Sequence, residues 1–347
     1  MLARVRTATL WGLEAFPVEC EVDIGHGLPG FILVGHADAI AREARDRVWP
    51  ALRNSSFPLP ERRVTVNLAP AARRKEGATA DLAMAVGMLV ATAQVPSDRL
   101  AHAAVLGELA LDGTVRGTRG MLGLAEALWR SGVTTVLCPA DSAPEAALIE
   151  PLRVHPVGSL VECVSWLRGG DLPRAAPASP DPEPDHSADL ADVRGQAMAR
   201  RALEIAAAGG HHVLLVGPPG SGKSMLASRL PGILPPLDQD EALVVTRLHS
   251  AAGTRRPGIG LMRERPFRAP HHSVTRAGLI GGGTPPRPGE LSLAHLGVLF
   301  LDELAEYPRG LLDALREPLE IGRVWLARAS GTSCFPARAL VIGASNP

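Results

Sequence analysis

The sequence predicts an α/β protein of two folded units, an α+β unit followed by a parallel-sheet nucleotide-binding unit. Three observations carry this. The chain is 347 residues long, more than one hydrophobic core usually organises. A Pro-rich stretch interrupts it near the middle. Beyond that stretch, apolar strands end in glycine-rich or acidic tips at the spacing of β-loop-α units.

The interruption runs over residues 169–188, where Pro173, Pro177, Pro180, Pro182 and Pro184 fall among Asp, Ala and Ser with no periodicity. Such a segment is expected to be an extended, solvated linker. It divides a first domain, 1–168, from a second, 189–347. In the first domain Val18, Cys20, Val22 and Ile24 alternate with Glu19, Glu21 and Asp23, the period-two pattern of a half-buried strand. Further strands are expected at 31–34 and 64–68. Helices are expected at 38–54, 78–92 and 121–131, the last closed by Gly132. In the second domain a helix over 192–208 precedes a strand at 212–216, and apolar strands follow at 298–301 and 340–343.

Composition narrows the function. Hydrophobic residues make up 46% of the chain, and 36 basic residues balance 36 acidic ones. This excludes a disordered chain or a uniformly basic nucleic-acid coat. Cys20, Cys138, Cys163 and Cys334 are scattered, without the paired spacing of a zinc or redox motif. The opening residues interleave Arg4, Arg6, Glu14 and Glu19 with apolar ones, unlike a signal peptide. The longest apolar run, 82–93, is too short for a bilayer. A cytoplasmic protein with no membrane contact is expected.

The chemistry lies at residues 217–224, Gly217, Pro218, Pro219, Gly220, Ser221, Gly222, Lys223 and Ser224. A strand running into this loop and then into a helix is a Walker A phosphate cradle. Glycines let backbone N–H groups approach the phosphates, Lys223 reaches the β- and γ-phosphates, and Ser224 offers its hydroxyl to Mg²⁺. Lys223 is one of only two lysines in an arginine-rich chain. Asp302 ends an apolar strand, as a Walker B carboxylate must to reach the metal, and Glu303 is placed to polarise the attacking water. Asn346 follows the next strand, where its amide could bond the γ-phosphate or that water. An Asn-Pro pair is also an ordinary turn. ATP and Mg²⁺ are thus the expected ligands, with Lys223, Asp302, Glu303 and Asn346 catalytic and Ser224 and Asp302 on the metal.

Several segments carry a more specific likeness: Asp192 to Gln196, Arg201 to His211, Arg265 to His272, Pro288 to His295 and Arg316 to Glu320. With them the chain resembles the YifB/ComM family of magnesium-chelatase-like AAA+ ATPases, along almost its whole length. The resemblance implies an N-terminal Lon-protease-like, S5-like domain and an AAA+ αβα-sandwich core. It also implies a ring, usually a homo-hexamer, and for ComM a DNA helicase driving branch migration in natural transformation. Family members continue past Asn346 and Pro347 with an arginine finger and a helical lid. The core is therefore expected to be incomplete and C-terminally truncated, binding ATP weakly and hydrolysing it poorly unless that segment is supplied.

Two further readings concern partners. Between residues 255 and 290 seven arginines face two glutamates, and the resembled clade carries a pore-directed insert there. Arg255, Arg256, Arg263, Arg265 and Arg268 are candidate DNA contacts, with Phe267 or His271 able to stack on bases. A solvated loop with interface ion pairs is the alternative. The Lon-like nucleophile region falls at 75–81, which holds Thr79 but no serine, and the lysine expected after Gly120 is absent. The first domain is read as non-proteolytic, and Lys75 as part of a solvated basic turn. A motor on DNA leads, with a chelatase-type remodeller of a protein partner and a little-active nucleotide-binding fragment as alternatives.

Overall fold

The structure is a computed structural model that describes residues 2–35, 43–71, 75, 78–179, 189–255, 260–328 and 331–347. It divides into two compact units. The first comprises Met1–Ser179 with Gly253–Gly260, and the second Pro180–Ala252 with Leu261–Pro347.

The first unit is built on a seven-stranded mixed sheet. Its order is Gly30–Val34, Arg63–Ala69, Glu14–Gly25, Leu2–Trp11, Ala103–Val105, Thr135–Pro139 and Arg153–Val157. The expected alternation holds: Val18, Cys20 and Val22 are buried in the strand Glu14–Gly25. Its antiparallel neighbour Leu2–Trp11 was not anticipated, although Ala3 and Val5 are buried between exposed Leu2, Arg4 and Arg6. Against the sheet packs the helix Asp81–Ala91, every residue of which is buried. Apart from Asp81, which Arg47 pairs at 2.6 Å, this helix is apolar all round and belongs inside the unit, since it has no face to give to water. The helix Ala44–Asn54 lies within the expected 38–54, whose first residues fall outside those described. Met121–Arg130 matches its expected span, and Gly132 takes a positive φ of 87° just beyond it.

Two expectations for this unit change. Lys75 is not in a solvated turn: it is 2% exposed, its ammonium bonds Pro70 O, and burial lowers its pKa. The linker is not free in solvent over its first part. Ala175 N donates to Val154 O at 2.8 Å, Ala178 N to Pro144 O at 3.0 Å, and Ala178 is buried. Small residues between the prolines let the backbone lie against the unit and complete its hydrogen bonding. Residues 180–188 lie outside the described set.

The second unit holds a four-stranded, wholly parallel sheet, ordered Val213–Val216, Leu340–Ser345, Val298–Leu301 and Phe267–Arg268. Leu203, Leu226, Leu230, Val298, Phe300, Ile342 and Ala344 form its core. The single helix expected at 192–208 is broken. A short 3₁₀ turn, Leu190–Asp192, precedes Gly195 and Gln196 at φ 73° and 50°, and the helix proper is Ala197–Gly209. The helix Gln239–Ala252 and the ribbon of Arg323–Arg328 with Gly331–Pro336 lie outside the expected elements. Among the described residues no helix is long and apolar enough to cross a membrane.

Candidate nucleotide site

All four strands of this sheet run the same way, so their C-terminal ends share one edge, where ligands of open α/β sheets bind. Val216 leads into Gly217, Leu301 into Asp302, Ser345 into Asn346, and Arg268 into the loop carrying His271 and His272. Register sets this convergence: Val216 lies opposite Ser345 and Leu301 opposite Gly343.

The loop folds as its glycines allow. Gly220 and Gly222 have φ of 78° and 85°, the left-handed region that costs other L-residues strain. Gly217 N donates to Ser345 O at 3.2 Å, seating the loop on the neighbouring strand. The helix Lys223–Ile233 then begins, and Leu226 N closes its first turn on Gly222 O. The amides before Leu226 are not consumed within the helix and form, with the helix dipole, a receptor for anions. Pro219, Gly220, Ser221, Gly222, Lys223, Ser224, Asp302, Glu303 and Asn346 all line one cavity of ≈ 360 Å³.

Within it the polar side chains are already in register. Lys223 Nζ donates to Gly217 O at 2.7 Å, Pro218 O at 3.1 Å and Asn346 Oδ1 at 3.1 Å. Ser224 Oγ donates to Asp302 Oδ2 at 2.8 Å, and Asp302 Oδ1 accepts from Glu303 N at 2.9 Å. One hydroxyl and one carboxylate side by side suit Mg²⁺, a hard cation that takes few protein oxygens and completes its shell from water and phosphate. The glycine loop leaves room for the phosphates themselves. These residues therefore fit both groups.

Two residues with no assigned role join the site. Glu303 takes φ 50°, which turns its side chain toward His272, with Nδ1 to Oε2 at 3.2 Å. Gln196 Nε2 donates to Ser221 O at 3.0 Å, tying the break before Ala197–Gly209 to the phosphate loop. Both lie in segments the sequence analysis singled out, but only folding brings them to this loop. Behind the acidic pair, Tyr307 is buried and donates to Pro270 O at 2.6 Å. Burial, with Asp302 nearby, pushes its pKa up to about 12, so it stays a neutral donor.

The arginines expected to meet DNA are mostly engaged elsewhere. Arg255 belongs to the first unit, where its side chain is 6% exposed and pairs with Glu145 at 2.8 Å. Arg265 bonds Leu296 O at 2.7 Å and approaches Glu241 at 3.4 Å. Arg268 grips Glu290 through two bonds of 2.5 and 2.8 Å, and that carboxylate raises the guanidinium's pKa. Guanidinium groups near a core seek carboxylates and carbonyls, because an unpaired charge there is costly. Arg263 is exposed, and Arg256 lies outside the described residues. Of the two proposed stacking residues, Phe267 packs on Phe300 with ring centres 6.1 Å apart. His271 lies against His272 at 4.0 Å and meets Ser273 Oγ at 2.8 Å.

Comparison with known proteins agrees with this site. Residues 189–347 match the family model described as magnesium chelatase, subunit ChlI, and residues 20–142 match the one described as subunit ChlI of Mg-chelatase. An uncharacterized protein of Mycobacterium tuberculosis is 47% identical over 347 residues, covering 100% of this chain and 69% of its own length. YifB of Escherichia coli is 42% identical over 353 residues, covering 100% of this chain and 68% of its own. The competence protein ComM of Haemophilus influenzae is 42% identical over 351 residues, covering 100% and 69%. With identity of this order along its entire length, and with a phosphate loop, acidic strand tip and amide assembled at one sheet edge, the chain belongs to the YifB/ComM family of magnesium-chelatase-like proteins.

Proposed function

We propose that this chain binds ATP with Mg²⁺ and hydrolyses it, using the energy to act on DNA. The observation that carries the first part is the Ser224–Asp302 hydrogen bond of 2.8 Å beside Lys223, which sets hydroxyl, carboxylate and ammonium around the phosphate loop. Mg²⁺ would draw charge from the β- and γ-phosphate oxygens. The loop amides and Lys223 hold the phosphates, and Ser224 and Asp302 hold the cation. Glu303 orients the water for in-line attack and accepts its proton, while Asn346 fixes the terminal phosphate through its amide. Calorimetric titration of the chain with ATP and Mg²⁺, compared with the Lys223→Ala variant, tests this reading. Equal heats from both proteins reject it.

DNA is the substrate that likeness to a competence protein suggests, and a homo-hexameric ring is the assembly proposed for the longer family members. The matches to magnesium-chelatase subunits favour a second reading, a remodeller of a protein partner. Gel-shift titrations with single-stranded and branched DNA separate the two, since a remodeller has no need of either. The first unit is proposed to be a Lon-protease-like scaffold without peptidase activity. Supporting this, Met121 and Leu122 are fully buried apolar residues on the helix that would have to supply a catalytic lysine.

A further inference from the structure

The ribbon of Arg323–Arg328 and Gly331–Pro336 is a two-stranded sheet of its own in the second unit, outside the four-stranded sheet. Its pleat separates two faces. Val324, Leu326, Ser333 and Phe335 are buried. Arg323 and Trp325 are exposed, opposite Pro336 and Cys334 respectively. Trp325 is 57% exposed, an unusual outlay of aromatic surface in a chain with 3% aromatic residues.

Charge on the ribbon differs from that of the arginine-rich segment before it. Arg255, Arg265 and Arg268 are each neutralised by a glutamate. Among the described residues neither Arg323 nor Arg328 pairs with a carboxylate, and Arg328 bonds only Ala327 O, at 3.2 Å. Glu317 and Glu320 on the preceding helix are the nearest acids in sequence. An indole face and a guanidinium two residues apart on one pleated face stand about 7 Å from each other. One base can stack on the ring while an adjoining phosphate meets the arginine.

We infer that this ribbon binds a single strand of DNA, with Trp325 as the stacking platform and Arg323, on the same face, as the phosphate contact. The inference rests on the DNA reading proposed above and locates it on the ribbon rather than on Arg255, Arg265 and Arg268, which glutamates occupy.

The test is fluorescence anisotropy with a labelled oligo-dT across a salt titration, using the purified chain. Trp325→Ala weakens binding about 5- to 150-fold while Trp325→Phe retains most of it. Arg323→Ala lowers the slope of log affinity against log salt by about 0.7. Nucleotide affinity, measured in parallel, stays unchanged in all three. Photo-crosslinking of the unsubstituted protein to iodouracil-containing DNA places the adduct on Trp325, which does not depend on how any variant folds. Wild-type binding that Trp325→Ala leaves intact, or an adduct elsewhere, overturns the ribbon and spares the DNA reading. Absence of any binding by the wild-type chain to single-stranded or branched DNA overturns both.

Discussion

The hydroxyl of Ser224 lies 2.8 Å from Oδ2 of Asp302, joining residues 78 positions apart in the chain at the edge of one parallel sheet. Their adjacency depends on the strand Val298–Leu301 sitting two places from Val213–Val216, with Leu340–Ser345 between them. Asn346, at the end of that middle strand, consequently reaches Lys223 Nζ.

Replacing Lys223 by alanine removes the only ammonium among the described residues that line the cavity at the glycine-rich loop. The expected outcome is a loss of at least about 100-fold in affinity for ATP with Mg²⁺, equivalent to roughly 3 kcal/mol, with far-ultraviolet circular dichroism unchanged. Isothermal titration calorimetry reads the affinity directly. Ser224→Ala shifts the Mg²⁺ concentration needed for half-maximal nucleotide binding upward in the same assay.

On the proposed reading, Glu303 and His272 serve hydrolysis rather than binding. Glu303→Gln is expected to cut phosphate release by about 100- to 10,000-fold while nucleotide affinity stays within a few-fold. His272→Ala frees the Glu303 carboxylate from its 3.2 Å contact and changes turnover in single-turnover assays without changing the nucleotide dissociation constant. An equal change in both quantities assigns His272 to binding instead.

Arg255 is a stability residue. Removing it leaves Glu145 facing the interior of the first unit, with Leu122 N, at 2.9 Å, among the donors that remain to it. Truncating one partner of a buried pair costs about 3 kcal/mol or more, so Arg255→Ala lowers the denaturation midpoint of that unit. Arg263→Ala, at an exposed position, leaves it unchanged. Urea titrations of the two variants give the comparison.

Acid weakens the second unit through His295. Burial, with Arg338 nearby, holds its pKa down at about 4 against 6.5 unfolded, and its Nδ1 accepts from Arg338 N at 3.1 Å. A depressed histidine binds fewer protons folded than unfolded between those values. Its contribution is complete above pH 6.5 and is lost as pH falls toward 4, up to roughly 3 kcal/mol. His295→Gln is expected to flatten this part of the stability profile. Denaturation at pH 7.5 and pH 5 measures the difference.

The local geometry at the sheet edge was legible before the fold. Gly220 and Gly222 occupy positions where positive φ is required, and Asp302 and Asn346 each follow a run of apolar β-formers, so their placement at strand ends needed only periodicity and turn chemistry. Fewer long-range features could be read. The strand Leu2–Trp11 carries an alternation that mixed charges partly conceal, and Lys75 looks solvated in a basic run although it is buried and bonds Pro70 O. Arg265 and Arg268 illustrate the same limit, because an excess of positive charge along a segment does not say which carboxylates the fold brings to it.

From its residue order alone the chain determined a glycine-rich loop and an acidic strand tip, since each depends on neighbours within a few positions, whereas the placing of residues 253–260 in the first unit depended on the fold. Tertiary structure decided which side chains remain available. It drew His272 to Glu303, spent Arg255 and Arg268 on glutamates, and left Trp325 uncovered on its ribbon. Desolvation is the reason: a charge or ring becomes paired, buried or free only when distant segments displace water from around it.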